Sequence, residues 1–249
     1  MQIDQESFKE KFTMNKIPKW NCSSCQEGKL FFKEEDITAF ETIEEKKKKN
    51  KSKKKIYLFE KYFLGTITCN NPECKEIFTI AGKLKLEKNS NSKFEKSCIE
   101  NYYPQYIFPT LHIFNIPEET AYDVQEAIIT AFKVFWINNS ACANAIRTTV
   151  ELILNDKNIK IIEKTNKKWR KLSLHERIEL FKNINSEIAN KLMALKWIGN
   201  AGSHDEELEN ENLLDAFEIL QIALEKLYNT YEKEINKKTN LINKRKKPL

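Results

Sequence analysis

Two close cysteine pairs constrain this chain more than any other feature. Cys22-Ser-Ser-Cys25 and Cys69-Asn-Asn-Pro-Glu-Cys74 can each present two thiolates from one tight turn, and together they complete a tetrahedral shell. Strand-like sequence follows each pair, as a zinc ribbon requires. A redox CxxC or unrelated free thiols are the competing readings. The reading adopted is structural Zn2+. Four thiolates leave the metal no open position, so its role is in folding rather than in catalysis. Of the other two cysteines, Cys142 lies on an apolar helical face and reads as core, and Cys98 has no assignment.

The sequence around these pairs divides into unlike halves. The segments KLFF, ITAF, IYLFEKYFLGTITC and IFTIAGKLKL, between residues 29 and 86, are rich in Ile, Phe, Tyr and Thr with partial alternation, and they predict short strands. A segment with Pro104, Pro109 and Pro117 follows, and each proline disfavours helix in the residue before it. It reads as a linker over 98–117. From residue 118 the pattern becomes helical. Helices are predicted over 118–138, 140–155, from Ser173, over 186–198 and over 212–234. Ser173 and Glu176 form a capping box for the third. In the fifth, Leu213, Phe217, Leu220, Leu224, Leu227 and Tyr231 make a heptad-like seam. That seam suits either a dimer contact or packing within its own bundle. The expected organisation is a ribbon domain over 1–97, the linker, a bundle over 118–236 and a basic tail over 237–249, disordered when free.

Charge is unevenly spread. The net charge is +6, yet KKKKNKSKKK alone carries +8 on Lys46, Lys47, Lys48, Lys49, Lys51, Lys53, Lys54 and Lys55. The tail from Lys237 carries +6 with no acid, so the rest of the chain carries −8. The lysine run falls where a hairpin loop would sit. It reads either as a phosphate-attracting element or as a solvated loop, and the tail has the same two readings. The longest apolar stretch, 127–137, is broken by Thr130 and Lys133, and the first twelve residues hold no apolar signal core. A cytoplasmic protein without membrane spans is expected.

Three histidines are present. His112 and His175 read as structural or surface residues. His204 closes the segment Lys196-Trp-Ile-Gly199-Asn200-Ala-Gly202-Ser-His204, directly after a helix. The glycines and Asn200 tolerate positive φ, so a helix cap and tight turn is one reading. The other is a site in which Asn200 and His204 are held for acid–base chemistry or phosphate contact.

Taken in order, the paired cysteines, the Tyr-Pro linker, the helix Ala145-Ile-Arg147-Thr-Thr-Val-Glu151-Leu-Ile-Leu154, the Gly199-Asn200-x-x-x-His204 turn and a last helix ending in Leu227-Tyr228 resemble the family called domain of unknown function 4145. Residues 117–232 carry most of the resemblance. It implies an α+β chain, a small β zinc ribbon followed by an all-α, HEPN-like bundle that is commonly dimeric and associated with prokaryotic defence and restriction systems. Many HEPN proteins are metal-independent ribonucleases, in which an Arg and a His from each of two protomers meet. The His assists proton transfer and the Arg steadies the phosphate.

Asn200 and His204 match the polar residue and His of that signature, but Gly199 stands where its Arg would be. Lys196 is the nearest cation, one turn earlier. Arg147, on another helix, pairs with Glu151 or reaches the site if the fold brings it there. Two functions follow. The first is a non-catalytic nucleic-acid-binding or adaptor component of a defence system, using the ribbon and lysine run and pairing with itself or an effector. The second is a ribonuclease toxin using His204 and Asn200, with Lys196 or Arg147 as the cation.

Overall fold

The computed structural model describes residues 3–51, 60–88, 98–165, 168–202 and 208–248. The chain divides into two compact units. One comprises residues 1–113, 132–139 and 209–214, and the other 114–131, 140–208 and 215–249.

The first unit is built on an antiparallel sheet of β1 (Leu30–Phe31), β2 (Ile37–Glu41), β3 (Glu60–Cys69), β4 (Ile77–Lys88) and β5 (Cys98–Phe108). β3 pairs with β1, β2 and β4, and β4 pairs with β5. Alternation is strict where it matters. Phe63, Ile67, Phe78, Ile80 and Leu84 point to one buried face. That face is filled by aromatic rings from the N-terminal segment. Phe12 stacks on Tyr102 at 5.3 Å and meets Trp20 and Phe32 edge-on. Phe12 and Tyr102 also exchange backbone hydrogen bonds at 3.0 and 2.8 Å, which tie that segment to β5.

Two expectations about this unit are corrected. The segment 98–117 is not all linker, because its first eleven residues are β5. Pro104 is tolerated there because it sits at a bulge. Gly82 faces Pro104 and Ala81 faces Tyr106, which leaves Gln105 without a partner. The lysine run does not begin as a loop. Residues Ile43–Lys51 form helix α1, with Thr42 accepting from the Glu45 N–H and Glu44 and Glu45 in the first turn. Residues 52–59, with Lys53, Lys54 and Lys55, lie outside the described residues.

The second unit is helical, with α2 (Tyr122–Phe135, shared with the first unit), α3 (Asn139–Asp156), α4 (Leu174–Lys182), α5 (Ser186–Ala201), α6 (Asn210–Tyr228, whose first turns fall in the first unit) and α7 (Thr230–Arg245). A small hairpin, β6 (Ile162–Thr165) with β7 (Lys168–Lys171), joins α3 to α4 and was not expected. The Ser173 capping box forms as the sequence predicts. Its hydroxyl accepts from the Glu176 N–H at 3.3 Å, and the Glu176 carboxylate accepts from the Ser173 N–H at 2.8 Å.

Ile146, Val150 and Ile153 of α3, Leu192 and Leu195 of α5, and Phe217, Leu220 and Leu224 of α6 are all fully buried. The α6 seam, from Leu213 to Leu227, is thus consumed inside this chain. The Tyr228 hydroxyl donates to Asp156 at 2.7 Å and fastens the end of α6 to the end of α3. The expected disordered tail is instead mostly α7, which runs on to Arg245. Among the described residues no helix is long and apolar enough to cross a membrane.

Candidate metal centre and helix-end site

The four cysteines converge in the first unit. Cys22 Sγ lies 3.8 Å from Cys74 Sγ, Cys25 Sγ lies 3.7 Å from Cys69 Sγ, and all four sulfurs fall within 4.8 Å of one another. A regular tetrahedron with metal–sulfur bonds of about 2.3 Å has edges of about 3.8 Å, so the sulfurs already stand at ligand spacing. The set could therefore hold a metal ion. It pairs across the two turns, one thiol of each with one of the other, as a clamp between two chain segments must.

Each turn is shaped in the same way. The residue after its second cysteine has positive φ, 59° at Gln26 and 51° at Lys75. Backbone N–H groups point at sulfur, from Gly28 to Cys25 at 3.3 Å and from Asn71 to Cys69 at 3.4 Å. Hydrogen bonds from the Gly28 and Glu27 backbone bring the Cys25 thiol down to about 6, while burial pushes Cys69 up to about 12. Gly28 is the residue that sequence reasoning missed. Any side chain there would run into Cys69 Sγ and the Asn71 Cβ. The available signal was its place three residues after Cys25 in a chain with five glycines.

Cys98 opens β5 opposite Lys88 and is not part of this cluster. Cys142 is buried, with its thiol raised by burial, and donates to the Ala131 carbonyl at 3.5 Å. The His112 backbone N–H donates to Ser23, between the first two cysteines, at 2.8 Å. Burial lowers the His112 imidazole.

The second candidate site lies at the end of α5. Sequence reasoning placed Gly199 and Gly202 in a turn with positive φ, but no glycine has positive φ. Gly199 lies within α5, and Gly202 closes it at φ −62°. Their role is close approach. A Cβ on Gly199 would stand 2.5 Å from the Arg147 Cβ and 3.1 Å from the Ala143 carbonyl oxygen. One on Gly202 would stand 2.8 Å from the Ala143 Cβ. Two glycines three apart thus form a notch on α5 that takes the Ser140–Ala143–Arg147 stripe of α3.

The notch seats Arg147 over Gly199. The Arg147 Cδ lies 3.3 Å from where a Gly199 Cβ would be, its Nε is buried without a partner, and one terminal nitrogen lies 3.7 Å from Glu151. Lys196 is buried, and its ammonium rests 3.3 Å from the Trp197 ring centroid. Burial, and then the Arg147 charge, lower the Lys196 amine. The fold therefore brings Arg147, Lys196 and the start of the Asn200 segment together. His204 lies outside the described residues. His175 is exposed beside Trp197, at 6.3 Å between rings.

Comparison with known families meets both units. Residues 130–245 match the family model described as Domain of unknown function (DUF4145). This match supports the DUF4145 family for the helical part, on the stretch that carries α3, α5 and α6. Residues 10–112 match a second model, Domain of unknown function (DUF8608), which takes in the cysteine cluster and the sheet. No curated protein and no solved structure matches the chain. Within the DUF4145 segment, Arg147, Glu151, Lys196, Gly199 and Asn200 are the residues the structure brings to one place.

Proposed function

We propose that the protein is a nucleic-acid-binding or adaptor component of a prokaryotic defence or restriction system, without catalysis of its own. In this reading the cysteine cluster holds structural Zn2+ in a zinc ribbon. The helical unit is a HEPN-like bundle that pairs with a second copy or with an effector.

The observation that carries the reading is α1. Its lysines meet at i, i+3 and i, i+4, as Lys46 with Lys49 and Lys47 with Lys51, where like charges oppose helix formation. The helix is anchored only at its start, through the Thr42 cap and the buried Glu45 carboxylate, which accepts from the Glu60 N–H at 3.4 Å. A polyanion laid along the run relieves the repulsion and gains by counterion release.

The test is binding of labelled RNA and DNA across a salt series, by the full chain and by a variant lacking 46–55. Affinity should fall steeply with salt, and the deletion should weaken it and flatten the slope. An affinity indifferent to the deletion would remove the run from the function.

One observation favours a second reading, a metal-independent ribonuclease using His204. Gly199 leaves the space into which Arg147 fits, so a guanidinium and the Lys196 ammonium stand by Asn200 despite the missing signature arginine. RNA cleavage during a brief exposure to EDTA, with bound metal determined afterwards, would establish it if His204→Ala and Arg147→Ala both abolish the activity. Cleavage surviving either change would exclude that residue.

A further inference from the structure

The sheet of the first unit has a second face, and it is apolar. Phe31, Phe40, Tyr62, Leu64, Tyr106 and Phe108 all project from it and are 46–58% exposed. The register makes it one surface. Phe40 faces Tyr62, and Leu64 and Tyr106 both face Ala81 from opposite sides. With about 100 Å² left open on each ring, the patch comes to about 600 Å², at the upper end of what a monomer shows.

Two features select the occupant. The first is a slot. The Tyr106 and Phe108 rings are 10° from parallel with centroids 6.4 Å apart. A planar group between two rings needs about 7 Å, two layers of about 3.5 Å, so a slight rotation of either exposed ring admits one base. The second is the placement of charge. Lys83 and Lys85 are matched by Glu60 at 3.2 and 3.8 Å, and Lys11 by Glu87 at 2.6 Å, which leaves the face itself nearly neutral. The unmatched cations begin at its border, where α1 leaves the end of β2 just past Phe40 and opens the run that carries +8. A ligand with flat apolar groups along one side and phosphates along the other fits both.

We propose that this face binds single-stranded nucleic acid, with bases stacked on Phe40, Tyr62, Tyr106 and Phe108 and phosphates running on to the lysine segment. A duplex keeps its bases stacked internally and cannot use the rings. This deepens the nucleic-acid-binding reading above and rests on it.

The test uses the full metal-loaded chain and fluorescence anisotropy with fluorescein-labelled U12 RNA and a 12-base-pair RNA duplex. The variants are Tyr106→Ser with Phe108→Ser, which changes only exposed side chains, and the 46–55 deletion. Circular dichroism verifies folding. The double substitution should weaken U12 binding about 10- to 100-fold, leave duplex binding unchanged and leave the salt slope intact. The deletion should lower affinity for both probes.

If the wild type binds U12 and the double variant binds it equally well, the face is not the site and this inference fails, while the binding reading stands. If the wild type binds neither probe, the binding reading fails and takes the inference with it. If sedimentation shows a wild-type dimer that the double substitution dissolves, the face is a protein interface and the inference is overturned.

Discussion

The contact between α3 and α5 can be tested by adding one carbon. In Gly199→Ala two effects oppose each other. Alanine is the better helix residue by about 0.8–1.0 kcal/mol. Against this, the new Cβ would lie 2.5 Å from the Arg147 Cβ and 3.1 Å from the Ala143 carbonyl oxygen. Carbon–carbon contact needs about 3.5 Å, so the helices must part by about 1 Å. Both atoms are β-carbons fixed to backbone, and no side-chain rotation relieves the clash. Overpacking of this kind costs about 1–3 kcal/mol, which outweighs the propensity gain and leaves a net loss of about 1–2 kcal/mol.

A thermal melt followed at 222 nm should then fall by about 2–8 °C. Placing Arg147→Gly behind Gly199→Ala removes the opposing carbon, and a double-mutant cycle should show the two changes coupled by about 1 kcal/mol or more. A Gly199→Ala protein that melts higher than wild type, by the helix-propensity amount, would refute the notch. So would strict additivity in the cycle.

Three more outcomes are expected. Purified protein should carry one metal ion per chain by elemental analysis, and Cys69→Ser should lose it together with the native fluorescence of the buried Trp20, since structural thiolate sites contribute about 10–16 kcal/mol, as much as a whole domain's stability. The Ser173 backbone N–H, then Arg170 and the Ser173 hydroxyl, hold the Glu176 carboxylate at about 2, below its ordinary 4.5. Its contribution is therefore present above pH 4.5 and lost as pH falls toward 2, and Glu176→Gln should flatten the decline of the urea midpoint across that window. Tyr228→Phe removes the donor to Asp156 and should cost about 1–2 kcal/mol in chemical denaturation, with no change in metal content.

What the sequence disclosed followed the range of the interactions involved. The cysteine pairs and the Ser173 box are local patterns whose spacing is itself the geometry, and both were read correctly. The α6 seam was visible as periodicity, but only the packed chain shows what covers it. β5 was read as linker because its prolines suggest irregular chain, whereas the bulge opposite Gly82 accepts Pro104. The β6–β7 hairpin has four residues per strand and no buried alternation on β7, so there was no pattern to find. Gly199 and Gly202 were assigned to positive φ because a glycine signals either backbone freedom or close approach. The small residues Ser140 and Ala143 on α3 were the hint of the second. For α7, the apolar positions Ile235 and Ile242 lie seven apart among lysines, too diluted to read against the charge.

The unpartnered Gln105 has a consequence for how β5 is read along the chain. Tyr102, Tyr106 and Phe108 all occupy even positions and would form a single stripe on an ordinary strand. Tyr102 is nevertheless core, while Tyr106 and Phe108 look outward. The extra residue acts as a frameshift in the in–out code, resetting its phase partway along the strand. Excising Gln105 would restore a regular ladder and keep every ring where it is. Excising any other single residue of β5 would put the two halves out of step, driving rings inward or Ile107 into water. The strand thus tolerates the loss of one position and no other, a signature that a scan of single-residue deletions would read directly.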